Sequence, residues 1–453
     1  MANVIRLRKG LDIHLQGQAE ETKLNLKSNG HYALVPDDFE GVVPKVVVRE
    51  GDMVKAGDAL FVNKAYPEVR FASPVSGKVT AVERGERRKV LCIKVDADAQ
   101  QEYVDFGKKN VQEMDGKAVV DALLEAGLFG YINQLPYAIS TNPSVLPKAI
   151  FVSALRDKPL AGSFEFEVKG QEQDFATGLQ ALSKIAKTYL GLGASSTLAS
   201  NLLPLTSENV EINIFKGKCP AGNVGVQVNH IDPVNKGEVV WTIGDPTVVL
   251  FIGRLLNTGK VNLTRTVALC GSEVKKPCYA DMLVGEELST LLSNSYDADH
   301  SVRIINGNVL TGRITTKDGY LGAHTSEITV IPEGDDNNEM LGWIMPRFGQ
   351  FSVSRSYFSW LFGKKKYALD ARVKGGERHM IMSGEYDRVL PMDIYGEYLI
   401  KAIIAGDIDK MEQLGIYEVA PEDFALAEFV DSSKLELQRI VREGLNNLRK
   451  ENA

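Results

Sequence analysis

The chain is poor in the residues that build metal centres. Its 453 residues include four cysteines, Cys92, Cys219, Cys270 and Cys278, and no two stand at C-x-x-C spacing. Zinc ribbons and thiolate-held iron–sulfur clusters need neighbouring thiolates that converge on one centre. The four therefore read as buried, reduced thiols. The histidines, His14, His31, His230, His300, His324 and His379, form neither H-x-x-x-H nor H-E-x-x-H, so no metal site is expected. Long apolar runs are also missing: none approaches the ~18 residues that cross a bilayer. The opening "MANVIRLRKGLDIHLQGQ" has charge but no apolar h-region, which excludes a secretory leader and predicts a cytoplasmic location. A net charge of −7 lacks the basic excess of a nucleic-acid binder. Internal repeats, low-complexity linkers and Ser/His/Asp or Cys/His constellations are absent.

What is present is a succession of patterns. Residues 1–100 carry short runs rich in Val, Ile and Phe, such as "KVVVRE", "ALFVN" and "VLCIKV". Gly51-Asp52, Gly57-Asp58, Ser73-Pro74 and Gly77 punctuate them with turn chemistry. That arrangement predicts a barrel-sandwich hybrid of the biotinyl/lipoyl type. "DGKAVVDALLEAGLFGYI" then has apolar residues at helical spacing. "KAIFVSAL", "EINIFKG" and "GEVVWTIGD" read as strands, and "PTVVLFIGRLLNTG" as a helix from a proline to Gly259. Alternation of strand and helix predicts an α/β layer. From residue 260 the chain is strand-rich again, interrupted by one predicted helix, "MLVGEELSTLL", as in a β-grasp. The last eighty residues read as helices, with Leu399, Ile400, Ile403 and Ile404 on one side of the first long one.

Several stretches raise chemical questions. Carrier domains swing a cofactor from one hairpin-tip lysine, and Lys64 stands near such a tip. Asn63 replaces the usual acidic neighbour, and "YPEVRFA" lengthens the path to the "SPVSG" turn, so modification of Lys64 is not expected. "GLGASS" (Gly191–Ser196) resembles a phosphate loop, but its third glycine is a serine and Pro204 cuts the next helix short; a strand-to-helix turn is the plainer reading. "RGERRK" (Arg84–Lys89) and "GKKK" (Gly363–Lys366) are solvated turns or contacts for lipid headgroups or an acidic partner. "PEGDDNNE" (Pro332–Glu339) lacks the ligand order of a calcium loop. The aromatic stretch from Trp343 to Phe362 is a core or interface hairpin, or a quinone or lipid contact.

The order of these parts, with "IRLRKGLDIHLQG", "KCPAGNVGVQVNHIDPV", "RIINGNVLTG", "FSVSRSYFSWLF" and "YDRVLPMD", closely resembles the A-subunit family of Na⁺-translocating NADH:quinone oxidoreductases over essentially the whole chain. That family is similar in turn to the NADH-binding flavin subunit of respiratory complex I. The resemblance implies an α+β multidomain fold: a barrel-sandwich-hybrid module (1–105), a Rossmann-like α/β domain (106–258), an SLBB-like β-grasp (259–335), an aromatic-rich connection (336–375) and a helical C-terminal domain (376–453). It also exposes departures. Flavin-bearing relatives have a glycine-rich loop where this chain reads "AGLFGYINQLPYAIS" (Ala126–Ser140), with only Gly127 and Gly130 left among bulky neighbours. Their acidic turn is here "LRDKPLA". Positions that hold cysteines in some members are Ala427 and Asp431.

The resemblance therefore implies a peripheral subunit on the cytoplasmic face of the inner membrane, with no cofactor and no catalytic centre of its own. NADH, flavins and iron–sulfur centres are expected on partner subunits. Attachment is expected through those partners, by the aromatic stretch and the N-terminal half. Quinone is the expected substrate of the complex. The residues that would wall a quinone slot are Phe39, Phe129, Tyr131, Asn133 and Tyr137, for which filling of the core is the alternative role. Two other functions stay open: a lipoyl- or biotin-dependent carrier, and a free-standing NADH-flavin oxidoreductase.

Overall fold

The computed structural model describes residues 3–198, 200, 209–297, 299, 301–335, 344–345, 347–363 and 365–452. Pro204 and Trp343 lie outside them. The centre is a seven-stranded sheet in the order Asn3–Arg6, Val210–Lys216, Thr188–Gly193, Ile150–Ser153, Val240–Ile243, Asn133–Leu135, Ile139–Ser140. The first five strands are parallel, and the last two form an antiparallel edge. Ile150 and Val152 face the helices Gly116–Glu125, Glu172–Ile185 and Thr247–Thr258, whereas Phe151 faces the helix Val224–Ile231. Burial on both faces is why "AIFVS" reads as a continuous apolar run. The helix Thr247–Thr258 stops as expected at Gly259, whose φ of 75° closes a left-handed cap.

The N-terminal module consists of a four-stranded sheet (His31–Leu34, Val90–Ala97, Gly77–Arg84, Met53–Val54) over a three-stranded one (Pro44–Val46, Ala59–Asn63, Arg70–Ala72). The two "GD" turns are one device used twice. Asp52 accepts from the amide of Arg49 and Asp58 from that of Lys55, each at 2.7 Å, while Gly51 and Gly57 take φ of 94° and 103°. The module does not begin at residue 1, however. Asn3–Arg6 is an edge strand of the central sheet, paired in parallel with Val210–Lys216, and Lys23–Leu24 extends the β-grasp sheet beside Cys278–Leu283. A β-rich run shows that it is a strand but not which sheet it joins.

The β-grasp has six strands, Arg313–Thr315, Val302–Asn306, Glu327–Pro332, Thr264–Cys270, Cys278–Leu283 and Lys23–Leu24. Its helix is shorter than expected. Met282 and Leu283 end a strand, and only Ser289–Leu292 is helical. Gly285 breaks the run with φ of 77°, and a Cβ there would lie 2.4 Å from the Ala33 carbonyl oxygen. At the C-terminus, the helix Leu437–Glu451 lays Val441, Leu445 and Leu448 into a core shared with Leu399, Ile400 and Ile403 of Gly396–Ala405. Ile404 leaves the expected face and is exposed. Asp431 accepts from the amides of Ser433 and Leu435 at 3.1 and 2.8 Å and so ties the turn before the last helix.

Candidate functional site

In an open parallel sheet, the crevice for a ligand lies beyond the C-terminal strand ends where the strand order reverses. Here that point falls between Ile150–Ser153 and Val240–Ile243, which are neighbours in the sheet although two strands separate them in sequence. A cavity of about 470 Å³ opens there. The chain leaving the first strand supplies Arg156, Asp157 and Lys158, and the chain leaving the second supplies Gly244 and Asp245. Asn306–Asn308, Arg313 and His324 come from the β-grasp, Glu422 and Arg442 from the C-terminal domain, and Glu40 from the N-terminal module.

The floor is a buried charge network. Arg156 pairs with Glu167 at 2.8 Å and with Asp245 at 3.2 Å; Arg265 also pairs with Asp245 and donates to the Ala323 carbonyl at 2.8 Å. Burial opposes the Asp245 charge, but Arg265 and Arg156 outweigh it and hold the carboxyl at about 2. The rim is less settled. Burial raises Asp157 to about 6; its Oδ2 accepts from Gly222 N at 2.9 Å, while the buried Oδ1 has no partner. Burial, with Glu422 adjacent, raises Asp423 to about 7. Burial likewise lowers His324 to about 4, despite the Asp245 charge. Lys158 reaches Glu422 at 2.7 Å and links the α/β domain to the C-terminal one.

The residues expected around a quinone separate. Phe39, Tyr131 and His324 form an aromatic corner, with Phe39–Tyr131 centroids 5.0 Å apart and Tyr131–His324 centroids 5.5 Å apart. Tyr131 and Asn133 line the cavity, and the buried Tyr131 hydroxyl has no hydrogen-bond partner. Phe129 instead lies in the core, edge-on to Trp241 at 5.3 Å. Tyr137 turns towards the C-terminal helix, where its carbonyl accepts from Arg442 at 2.9 Å. The network Arg156–Asp245–Arg265 and the acids Asp157 and Asp423 were not singled out from sequence. For Arg156, Asp157 and Asp245 the signal was charge directly after apolar parallel strands, in "SALRDK" and "WTIGD"; Arg265, within a strand, and Asp423, in the C-terminal domain, had no such signal.

The loop Ala126–Ser140 bears on cofactors directly. A Cβ on Gly130 would lie 2.3 Å from the Phe71 ring, and one on Gly127 would lie 2.8 Å from the Ala72 amide nitrogen. Both glycines admit the close approach of the N-terminal module. In "GLGASS", Gly191 lies within its strand, and a Cβ there would meet the Gln227 amide at 2.0 Å. The cysteines are buried, and burial pushes Cys92 and Cys270 up to about 12. Among the described residues, no group of three or more His, Cys, Asp or Glu could hold a metal ion, and no helix is long and apolar enough to cross a membrane.

Comparison with known proteins matches three family descriptions along the chain: the NqrA N-terminal barrel-sandwich hybrid domain at 5–98, the NqrA second alpha/beta domain at 114–261, and the NQRA C-terminal domain, an SLBB domain, at 266–317. The A subunit of the Na(+)-translocating NADH-quinone reductase of Yersinia pestis bv. Antiqua is 33% identical over 99% of this chain and 100% of its own length. Its namesake from Haemophilus influenzae (strain PittGG) is 35% identical over the same shares. Among solved structures, an NAD⁺-reducing [NiFe]-hydrogenase in the H₂-reduced state aligns with 74% of this chain and 61% of its own at 13% identity and a TM-score of 0.38, too weak to carry a fold argument. The full-length relatives and the three successive domain matches agree, and the chain belongs to the NqrA family, the A subunits of the Na⁺-translocating NADH-quinone reductases.

Proposed function

We propose that the chain is a peripheral subunit of a Na⁺-translocating NADH-quinone reductase, holding no flavin or iron–sulfur group and capping the membrane subunits on the cytoplasmic face. NADH, flavin and iron–sulfur chemistry then belongs to its partners, and its own share is positioning. The observation that carries this reading is the loop Ala126–Tyr131. A flavin phosphate needs bare backbone amides, and here Phe71 and Ala72 of the N-terminal module occupy the approach to both glycines. The test is a pair of measurements on tagged protein. The chain purified alone is expected to show no visible absorbance, and from detergent-solubilised membranes it is expected to bring down integral membrane partners. A stoichiometric yellow or brown chromophore in the isolated chain would overturn the cofactor-free reading.

A second reading rests on the unpartnered Tyr131 hydroxyl at the cavity wall, beside Phe39 and Asn133. A quinone carbonyl accepts a hydrogen bond from a phenol, and its ring packs against aromatic faces. We propose this wall as a quinone contact in the assembled complex. A photoreactive quinone analogue is expected to label this chain. Labelling confined to other subunits, or unchanged quinone kinetics in an assembled Tyr131→Ala, Tyr137→Ala variant, would remove it.

A further inference from the structure

Between Glu339 and Asp370 the chain has no acidic residue and five cations, Arg347, Arg355, Lys364, Lys365 and Lys366, in a protein whose net charge is −7. The described part of this segment is a compact loop fixed at its base. Phe351 packs against Tyr367 and against Phe429 of the C-terminal domain, with centroids 5.8 and 6.1 Å apart. Serines clip the loop: the Ser352 amide donates to Ser359 Oγ at 3.0 Å, and Ser359 Oγ donates back to the Ser352 carbonyl at 3.1 Å. Lys365 Nζ donates to the Phe348 carbonyl at 2.7 Å.

Beyond that base, the apolar side chains face outward. Phe348 stacks on Phe358 at 5.7 Å and meets Phe362 edge-on at 6.3 Å, yet Phe348, Trp360 and Leu361 are 54%, 55% and 57% exposed. The cations lie among these rings: the Arg355 guanidinium is 5.8 Å from the Trp360 ring centre, and Lys365 Nζ is 5.4 Å from that of Phe362. An exposed cluster of this kind marks an interaction surface. Its composition separates two kinds of partner. Protein interfaces favour Trp, Phe and Arg but are depleted in Lys. The boundary of a bilayer favours Trp and Phe together with Lys and Arg, because rings insert at headgroup level while the cations meet lipid phosphates. The lysine run beside the rings and the lack of any acid fit an anionic lipid surface.

We propose that the segment 344–366 is an interfacial membrane contact, in which Phe348, Phe358, Trp360 and Phe362 enter the headgroup–acyl boundary and Arg355, Lys365 and Lys366 meet anionic headgroups. It goes beyond the subunit role, since the lipid itself would share in orienting the chain over the membrane.

The test uses the full purified chain and sedimented vesicles of phosphatidylcholine, with or without phosphatidylglycerol. Binding is expected to the anionic vesicles, to weaken with added salt, and to be poor on phosphatidylcholine alone. A Phe358→Ser, Trp360→Ser, Phe362→Ser variant and, separately, an Arg355→Glu, Lys366→Glu variant are each expected to bind about tenfold more weakly or worse. The charge variant alters only exposed side chains and decides the matter should the serine variant fold poorly. No binding of the wild-type chain to anionic vesicles, or wild-type binding by a folded variant, would overturn the proposal. So would variants that keep vesicle binding but lose membrane subunits in detergent, which would make the patch a protein contact.

Discussion

Two surfaces of the α/β domain meet along the loop Ala126–Ser140, and they are built in opposite ways. On one side the loop is dry. Phe39, Phe61 and Phe71 of the N-terminal module interlock, with Phe71 4.4 Å from each of the other two rings, and Gly127 and Gly130 let them close on the domain. On the other side, the cleft at the strand ends is charged, and Tyr131 Oη and Asp157 Oδ1 are buried without partners. The dry seam is shaped for one permanent neighbour. The charged cleft is only partly satisfied, as a place for ligand or ordered water is. Gly127 and Gly130 thus serve the surface that approaches their backbone most closely, that of the N-terminal module.

The sharpest way to break this contrast is at the cleft floor. Replacing Arg265 with methionine leaves Asp245 with Arg156 alone, which it shares with Glu167. Removing one partner of a buried charge pair costs about 3–5 kcal/mol, so the variant should melt far below the wild type. A melting point within a few degrees would mean that the network is solvated. The seam is tested by Gly130→Ala, whose Cβ would sit 2.3 Å from Phe71. Overpacking of this kind typically costs about 1–3 kcal/mol, to be read from urea unfolding. Tolerance of the alanine would show that the seam can relax and that the glycine has another purpose.

A smaller effect is read by pH, at the cleft acid Asp157. Asp157 is raised from 3.8 to about 6. A raised carboxyl stabilises the fold fully below its unfolded value, and that contribution is lost as pH rises through the folded one. The penalty therefore grows from near pH 4 and is complete above about pH 6. Asp157→Asn should leave stability unchanged near pH 4 and raise it at pH 8 by on the order of 1–2 kcal/mol. Equal effects at both pH values would place Asp157 in solvent.

Much of the fold could be read from local pattern, because turn chemistry and periodicity are local. The paired "GD" turns, the helix stop at Gly259 and the buried run "AIFVS" each declare themselves within a few residues. What could not be read depends on distant partners. "NVIR" falls in the β-rich first hundred residues, but only the tertiary structure places it beside Val210–Lys216. "MLVGEELSTLL" looks helical until Gly285 meets Ala33 across another sheet. The cleft divides the same way: Tyr131 and Asn133, named from residue type, line it, whereas the Arg156–Asp245–Arg265 network joins positions scattered over three elements. Phe129 and Tyr137 share the residue type without sharing the position: Phe129 packs on Trp241 in the core, and Tyr137 lies against the C-terminal helix.

The smallest expected effect is at the far end of the N-terminal module. The seam buries Phe61 and Phe71, which flank the hairpin that carries Lys64 at its tip. The tip itself is held by backbone: the Lys64 amide donates to the Val43 carbonyl at 2.8 Å, and the Ala65 amide donates to Asn63 Oδ1 at 3.1 Å. The Lys64 side chain is exposed, so none of this holding requires it. Lys64→Ala is expected to change stability by less than about 0.5 kcal/mol and to leave assembly with the membrane subunits intact. The wild-type chain should show its unmodified sequence mass in intact-mass spectrometry. A lipoyl- or biotin-sized adduct on Lys64 would restore the swinging-arm reading. So would loss of quinone reduction in a Lys64→Ala complex that still assembles, and the module would then be a carrier as well as one wall of a dry seam.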